Sequence, residues 1–182
     1  MEKLAIFMAD GCEEIEGLTV VDLLRRAGIA IDMVSIQTGT KVRGSHAIEF
    51  EADTTAEKAD LSSYTGVILP GGMPGTNYLK ESAAVRETVQ AYCKAGKLVA
   101  AICAAPTVLG ACGILKGKNA TCYPGLEDQL TGARVSKDPV VVDGNVITSR
   151  GMGTAIPFGL AIIAYLQGKD SAKAMAEKIV FA

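Results

Sequence analysis

Short apolar runs recur along the chain, and each stops abruptly in residues suited to a turn. The run over 4–9 ends at Asp10-Gly11, that over 66–69 at Pro70-Gly71-Gly72, and that over 98–102 at Cys103. A short uninterrupted apolar run fits a strand buried on both faces, the usual state of a parallel sheet. Residues 29–36, rich in Ile and Val, read as another such strand. Between the runs the spacing turns helical. Residues 14–27 carry Ile15, Leu18, Val21 and Leu24 at helical intervals, with Arg25 and Arg26 in the last turn and Gly28 as a stop. Residues 83–95 place Val85, Val89, Tyr92 and Cys93 on one side. Further helices are expected over 106–113, 154–166 and 171–179. Residues 41–50 read as short, partly exposed β structure. Residues 140–148 read as two strands joined at Asp143-Gly144, a strong hairpin signal.

Strands alternating with helices predict an α/β fold, with a mostly parallel sheet covered on both faces and one antiparallel hairpin. No linker, repeat or low-complexity run divides the chain, so residues 1–182 are expected to form one domain. Hydrophobic residues make up 49% of the 182, enough for a sizeable core. With 18 Lys plus Arg against 20 Asp plus Glu, the net charge is −2, which offers nucleic acid no general attraction. There is no Trp, and aromatics are only 5%, which argues against a base-stacking platform.

Five cysteines without regular spacing are not a disulfide framework, and a single His with no C-x-x-C offers no recognisable zinc set. Reduced thiols are expected, with no metal and no cofactor. Neither G-x-G-x-x-G nor a Walker motif occurs. The first apolar run is too short for a signal peptide or a membrane span, which predicts a cytoplasmic protein.

In an open parallel sheet, ligands bind beyond the carboxyl ends of the strands. Three segments fall there. In Ala101-Ile102-Cys103-Ala104-Ala105, small residues flank the Cys at two positions on either side, the spacing of a nucleophile elbow. A helix starting at Pro106 would aim its amides and dipole at the sulfur and favour thiolate. Cys103 reads equally as a packed core cysteine. In Asp10-Gly11-Cys12-Glu13-Glu14-Ile15-Glu16, Glu13 and Glu14 suit a helix N-terminus, whereas Glu16 points elsewhere and can face the sheet's carboxyl edge. Buried there, it would be protonated. The glycines of Leu69-Pro70-Gly71-Gly72 can expose amides to a ligand or simply make a turn. The Gly-rich Ser149-Arg150-Gly151-Met152-Gly153-Thr154 is open to the same two readings.

These segments, in this order, make the chain resemble the ThiJ/PfpI superfamily, most closely its DJ-one-like branch. The resemblance runs from the first strand to the helix near Leu166. It implies a flavodoxin-like three-layer sandwich, usually a homodimer. It assigns Cys103 as an oxidation-sensitive nucleophile and Glu16 as its protonated hydrogen-bond partner. Gly72 and Ala104 become oxyanion-binding amides. The family's activities imply a glutathione-independent glyoxalase or deglycase acting on small 2-oxoaldehydes such as methylglyoxal. The alternatives are a redox sensor or a chaperone-like protective protein. Neither nucleic acid nor membrane is expected as a partner. Ala104 stands where protease-like members carry His, which argues against a peptidase. Tyr123 stands where many relatives carry a site His; it remains a substrate-binding candidate but is a poor base near neutrality. His46 lies in a segment that relatives place near the dimer interface, and it reads as a solvated surface residue. Cys12, Cys93, Cys112 and Cys122 are assigned to packing, with Cys12 the nearest in sequence to Glu16.

Overall fold

The computed structural model describes residues 3–181; Met1, Glu2 and Ala182, which belong to the expected 1–182 domain, lie outside them. In chain order the elements are β1 (Lys3–Met8), α1 (Glu14–Arg26), β2 (Ala30–Ser35), β3 (Lys41–Arg43), β4 (Glu49–Glu51), β5 (Thr54–Thr55) and β6 (Gly66–Leu69). There follow α2 (Gly75–Glu81), α3 (Ala83–Lys94), β7 (Leu98–Ile102), α4 (Pro106–Ala111), β8 (Asn119–Ala120) and β9 (Arg134–Val135). The chain closes with β10 (Val140–Asp143), β11 (Val146–Ser149), α5 (Ala155–Gln167) and α6 (Lys169–Lys178).

The main sheet has seven strands in the order β10-β11-β7-β6-β1-β2-β5. Every pairing in it is parallel except the β10–β11 hairpin. The central strands β1, β6 and β7 are buried along almost their whole length because both faces are covered. Alternate side chains split between two cores. Leu4, Ile6 and Met8 of β1 join α1, α5 and α6 on one face. Ala5 and Phe7 join α3 and α4 on the other. This is the three-layer, flavodoxin-like sandwich, with β2 on one side of β1 and β6, β7 and β11 on the other. The switch in winding direction falls between β1 and β6, where a crevice opens at the strands' carboxyl ends.

Several local expectations change. The helix over 106–113 is shorter, ending at Ala111. Residues 41–50 form a separate two-stranded hairpin, β3–β4, off the main sheet. The helix α2, directly after the Gly71-Gly72 turn, has no counterpart in the sequence reading, because the segment's Pro and Gly residues mask so short a helix. Strands β8 and β9 are likewise too short for periodicity to reveal. Within α1 the predicted inward face holds at Leu18, Val21 and Leu24 but not in the first turn. Ile15 is 47% exposed, whereas Glu14 and Glu16 are buried. The first turn of α1 projects beyond the end of β1, so its inward direction meets polar loops rather than sheet.

Among the described residues, no helix is long and apolar enough to cross a membrane. All five cysteines are free.

Candidate active site

The crevice collects residues from three consecutive strand ends. β7 runs into Cys103, whose φ is +65°, a left-handed conformation rarely adopted by a residue with a side chain and costing about 1–3 kcal/mol. Neighbouring chain holds it there. The Cys103 N–H donates to the Ser149 carbonyl at 2.9 Å, and the Cys103 carbonyl accepts from the Tyr123 N–H at 2.8 Å. Ala101 and Ala105 are both fully buried, which explains the need for small residues on either side of the turn.

β1 leads through the Asp10-Gly11 turn into α1, whose third residue is Glu16, 1% exposed. β6 leads into Gly71 and Gly72. The Gly71 N–H donates to Glu16 Oε2 at 2.9 Å. A Cβ on Gly71 would sit 2.6 Å from both the Cys103 Cβ and Glu16 Oε2, so only glycine lets the three segments meet. Gly72 has a φ of +88°, and a Cβ there would lie 2.3 Å from the Glu13 nitrogen. Gly71 is the site residue that sequence reasoning passed over. Its signal was present in the paired glycines, but the partner that needed the space was not visible.

The Glu16 carboxyl, the Cys103 thiol and the backbone amides of Ala104 and Gly72 lie close enough to act on one another's acidity. The four residues singled out as nucleophile, acid and amides thus converge. Their charge state differs from expectation. Burial, then the neighbouring Glu16 charge and hydrogen bond, pushes the Cys103 thiol up to about 12. The two amides pull the other way but do not prevail. The helix behind the sulfur has only six residues, too few to supply the expected dipole. Burial also pushes Glu16 up, to about 7, against the hydrogen bonds from Cys103 and Gly71. Near neutrality, then, Glu16 is divided between acid and carboxylate beside a neutral thiol. It is the carboxyl beside the sulfur, and it titrates close to ambient pH.

Cys103 opens into a cleft of about 360 Å³ whose lining includes Gly72, Met73, Ala104, Tyr123 and Pro124. Tyr123 lines this cleft but is 52% exposed, and among the described residues its phenol has no hydrogen-bond partner.

His46 does not reach Cys103. It sits on the β3–β4 hairpin, with its ring 3.3 Å from Glu14 Oε2 and 3.4 Å from Glu13 Oε2. The ring is 72% exposed, in keeping with a surface residue, but its backbone is anchored: the His46 N–H donates to Glu14 Oε1 at 2.8 Å. Glu13, Glu14 and His46 are the one group among the described residues whose ligand atoms lie close enough to hold a metal, within 4.8 Å. Glu14, however, already accepts bonds from the His46 and Ile48 amides. The cluster is a clamp between α1 and the hairpin. Cys12, Cys112 and Cys122 are buried, and burial pushes Cys12 up to about 12.

A model of the DJ-1/PfpI family matches residues 2–165. The Protein dj-1beta of Drosophila melanogaster is 39% identical over 185 residues, covering 100% of this chain and 99% of its own. A Caenorhabditis elegans protein named Glutathione-independent glyoxalase DJR-1.2 is 32% identical over 181 residues, covering 98% of this chain and 96% of its own. The solved structure of oxidized Toxoplasma gondii DJ-1 superposes with a TM-score of 0.96 at 34% identity, each chain fully covered.

Proposed function

The chain belongs to the DJ-1/PfpI family, and from that premise we propose that it is a cysteine-dependent, glutathione-independent glyoxalase of small 2-oxoaldehydes such as methylglyoxal. One observation carries the reading: Cys103 and Glu16 meet across Gly71, beside the Ala104 and Gly72 amides, at the floor of an open cleft. The resemblance to a named glyoxalase supports it.

The Glu16 carboxylate takes the thiol proton, and the resulting thiolate adds to the aldehyde carbon. The developing oxyanion is held by the Gly72 and Ala104 amides. Glu16 hands the thiol proton on to the ketone oxygen and, as a carboxylate again, moves the C–H proton of the former aldehyde carbon to the former keto carbon, so that the former aldehyde carbon closes to a thioester. The aldehyde carbon is oxidised by two electrons and the keto carbon reduced by two, so no external oxidant is needed. Water cleaves the thioester, giving the 2-hydroxy acid and restoring the Cys103 thiol. Hydrolysis of methylglyoxal adducts on proteins, a deglycase activity, would use the same thiol and amides. Ala104, lacking an imidazole, speaks against peptide hydrolysis.

Incubation with methylglyoxal in the absence of glutathione should yield lactate, and Cys103→Ser should abolish it. Lactate at the wild-type rate from Cys103→Ser would overturn the reading.

A second reading rests on one observation: no imidazole touches Cys103, since the single His lies on the β3–β4 hairpin. The same pair then serves a redox sensor, in which peroxide oxidises Cys103 and the amides and Glu16 hold the sulfinate. Peroxide mass mapping that finds another cysteine oxidised first would sink it. The five free cysteines support residence in a reducing compartment such as the cytoplasm. Homodimerisation is proposed on the exposed Ile15 and Ile48, which flank the Glu14 clamp. Light scattering reads the mass directly, and a monomer at micromolar concentration would refute the dimer.

A further inference from the structure

The cleft above Cys103 carries no charged side chain. Across its shared rim of Tyr123 and Pro124 it continues into a second groove of about 440 Å³. The charged residues lining that groove are Lys137 and Arg150, both cations, and no acid lines it. Neither is in an ion pair among the described residues.

Arg150 is set there by the sheet. Ser149 pairs with Ile102 in the parallel β11–β7 register, so Arg150 follows β11 at the level where Cys103 follows β7. Neighbouring strands lie about 4.8 Å apart, so guanidinium and thiol stem from adjacent backbones at one sheet edge. The Arg150 N–H donates to the Pro139 carbonyl at 3.3 Å, and its guanidinium leans on the Lys137 carbonyl at 3.4 Å. Two carboxylates stand nearby: backbone amides, helped by the charges of Lys137 and Arg150, hold Glu127 below its ordinary range, but neither acid forms an ion pair with either cation among the described residues. Glu127 accepts from the Gly125 amide, and Asp138 from Ser136. A substrate as small as methylglyoxal, confined to the apolar cleft, would leave both cations unused.

We propose that the groove is an anion subsite, and that the preferred substrates are 2-oxoaldehydes carrying a carboxylate on the end remote from the aldehyde. This rests on the glyoxalase reading for the chemistry. The aldehyde end meets Cys103 in the apolar cleft, the chain passes Tyr123, and the carboxylate docks on the planar fork of Arg150 with Lys137 beside it. The reaction is the internal transfer already described, so the product is a 2-hydroxy dicarboxylate.

Two measurements test this independently. The first compares kcat/KM for dioxovalerate, a 2-oxoaldehyde with a terminal carboxylate, and for methylglyoxal. The wild type should prefer dioxovalerate, and Arg150→Ala should cut the ratio of the two about tenfold, the scale of one charge-assisted hydrogen bond. Arg150→Lys should restore part of it. An unchanged ratio in Arg150→Ala overturns the subsite. The second needs no turnover: the rate of Cys103 alkylation by iodoacetate relative to iodoacetamide. Arg150→Ala with Lys137→Ala should lower that ratio severalfold, and high salt should do the same in the wild type. If neither aldehyde is turned over while the alkylation ratio falls, the glyoxalase reading fails and the anion subsite stands. If both aldehydes are turned over and neither ratio moves, the subsite fails alone.

Discussion

Glu14 and Glu16 lie two residues apart in the first turn of α1, and both are almost completely buried, at 5% and 1% exposure. Their acidities nevertheless move in opposite directions. Burial alone would push Glu14 up, but bonds from its own amide, the His46 amide and ring, and the Ile48 amide outweigh it, so Glu14 is held below the usual carboxylate range. Glu16 has the Gly71 amide and the Cys103 side chain, too little to offset burial, and rises to about 7. Gly44 makes room for the Glu14 carboxylate, since a Cβ there would lie 2.2 Å from Oε1. Gly71 does the same for Glu16. The difference teaches that the charge of a carboxyl is set by the depth of its burial weighed against the donors aimed at it, and Glu16 is both the deeper of the two and the one with fewer donors. With several donors Glu14 is a permanent anion tying a hairpin to a helix. With few, Glu16 is free to gain and lose a proton.

The sharpest way to break this comparison is to neutralise each acid. Glu16→Gln should lower methylglyoxal turnover by about a thousandfold, within the range of a lost general acid–base group. Glu14→Gln should keep most of the rate. Equal losses in the two variants, read as initial lactate formation, would erase the functional distinction.

Stability should separate them next. Glu16 is raised in the fold, from 4.5 to about 7, so its contribution is complete below pH 4.5 and lost as pH rises through 7. At pH 8, therefore, Glu16→Gln should be more stable than the wild type by about 3 kcal/mol, with the gap closing by pH 4.5. Urea melts at the two pH values check both size and sign.

Glu14 is lowered, so its contribution is present above 4.5 and disappears as pH falls through its folded value. Glu14→Ala leaves the His46 and Ile48 amides without their acceptor and should cost about 2 kcal/mol at pH 7. The deficit should shrink in acid, the reverse of the Glu16 profile. Hydrogen exchange should show the loss concentrated in β3–β4.

The smallest effect belongs to His46. Its ring is mostly exposed, and His46→Ala keeps the backbone amide that Glu14 holds, so the loss should stay below about 1 kcal/mol. A loss matching that of Glu14→Ala would mean that the ring, not the amide, carries the clamp.

Much of this was legible in the chain. The elbow at Cys103 announced itself because a sharp turn admits only small neighbours, and Ala101 and Ala105 stand at the right positions. Glu16 stood out by being out of phase with the helix's apolar residues. What misled was the same periodicity: Ile15, in phase, turned out exposed, because α1 begins past the end of the sheet it packs on. Glu14 read as helix-end charge, since the hairpin residue that holds it, His46, lies 32 residues away in sequence.

The sequence by itself determined the alternation of strands and helices, the buried parallel sheet and the turn at which Cys103 sits. These follow from local patterns: apolar runs, helical spacing, and small residues where the backbone bends. Only the tertiary structure decided the protonation of the site. The acidity of Cys103 and Glu16 depends on which amides and charges meet them from three strand ends far apart in the chain, together with the depth to which they are buried. Pattern along a chain fixes direction and phase, whereas the balance between desolvation and hydrogen bonding is set by neighbours brought together through the fold.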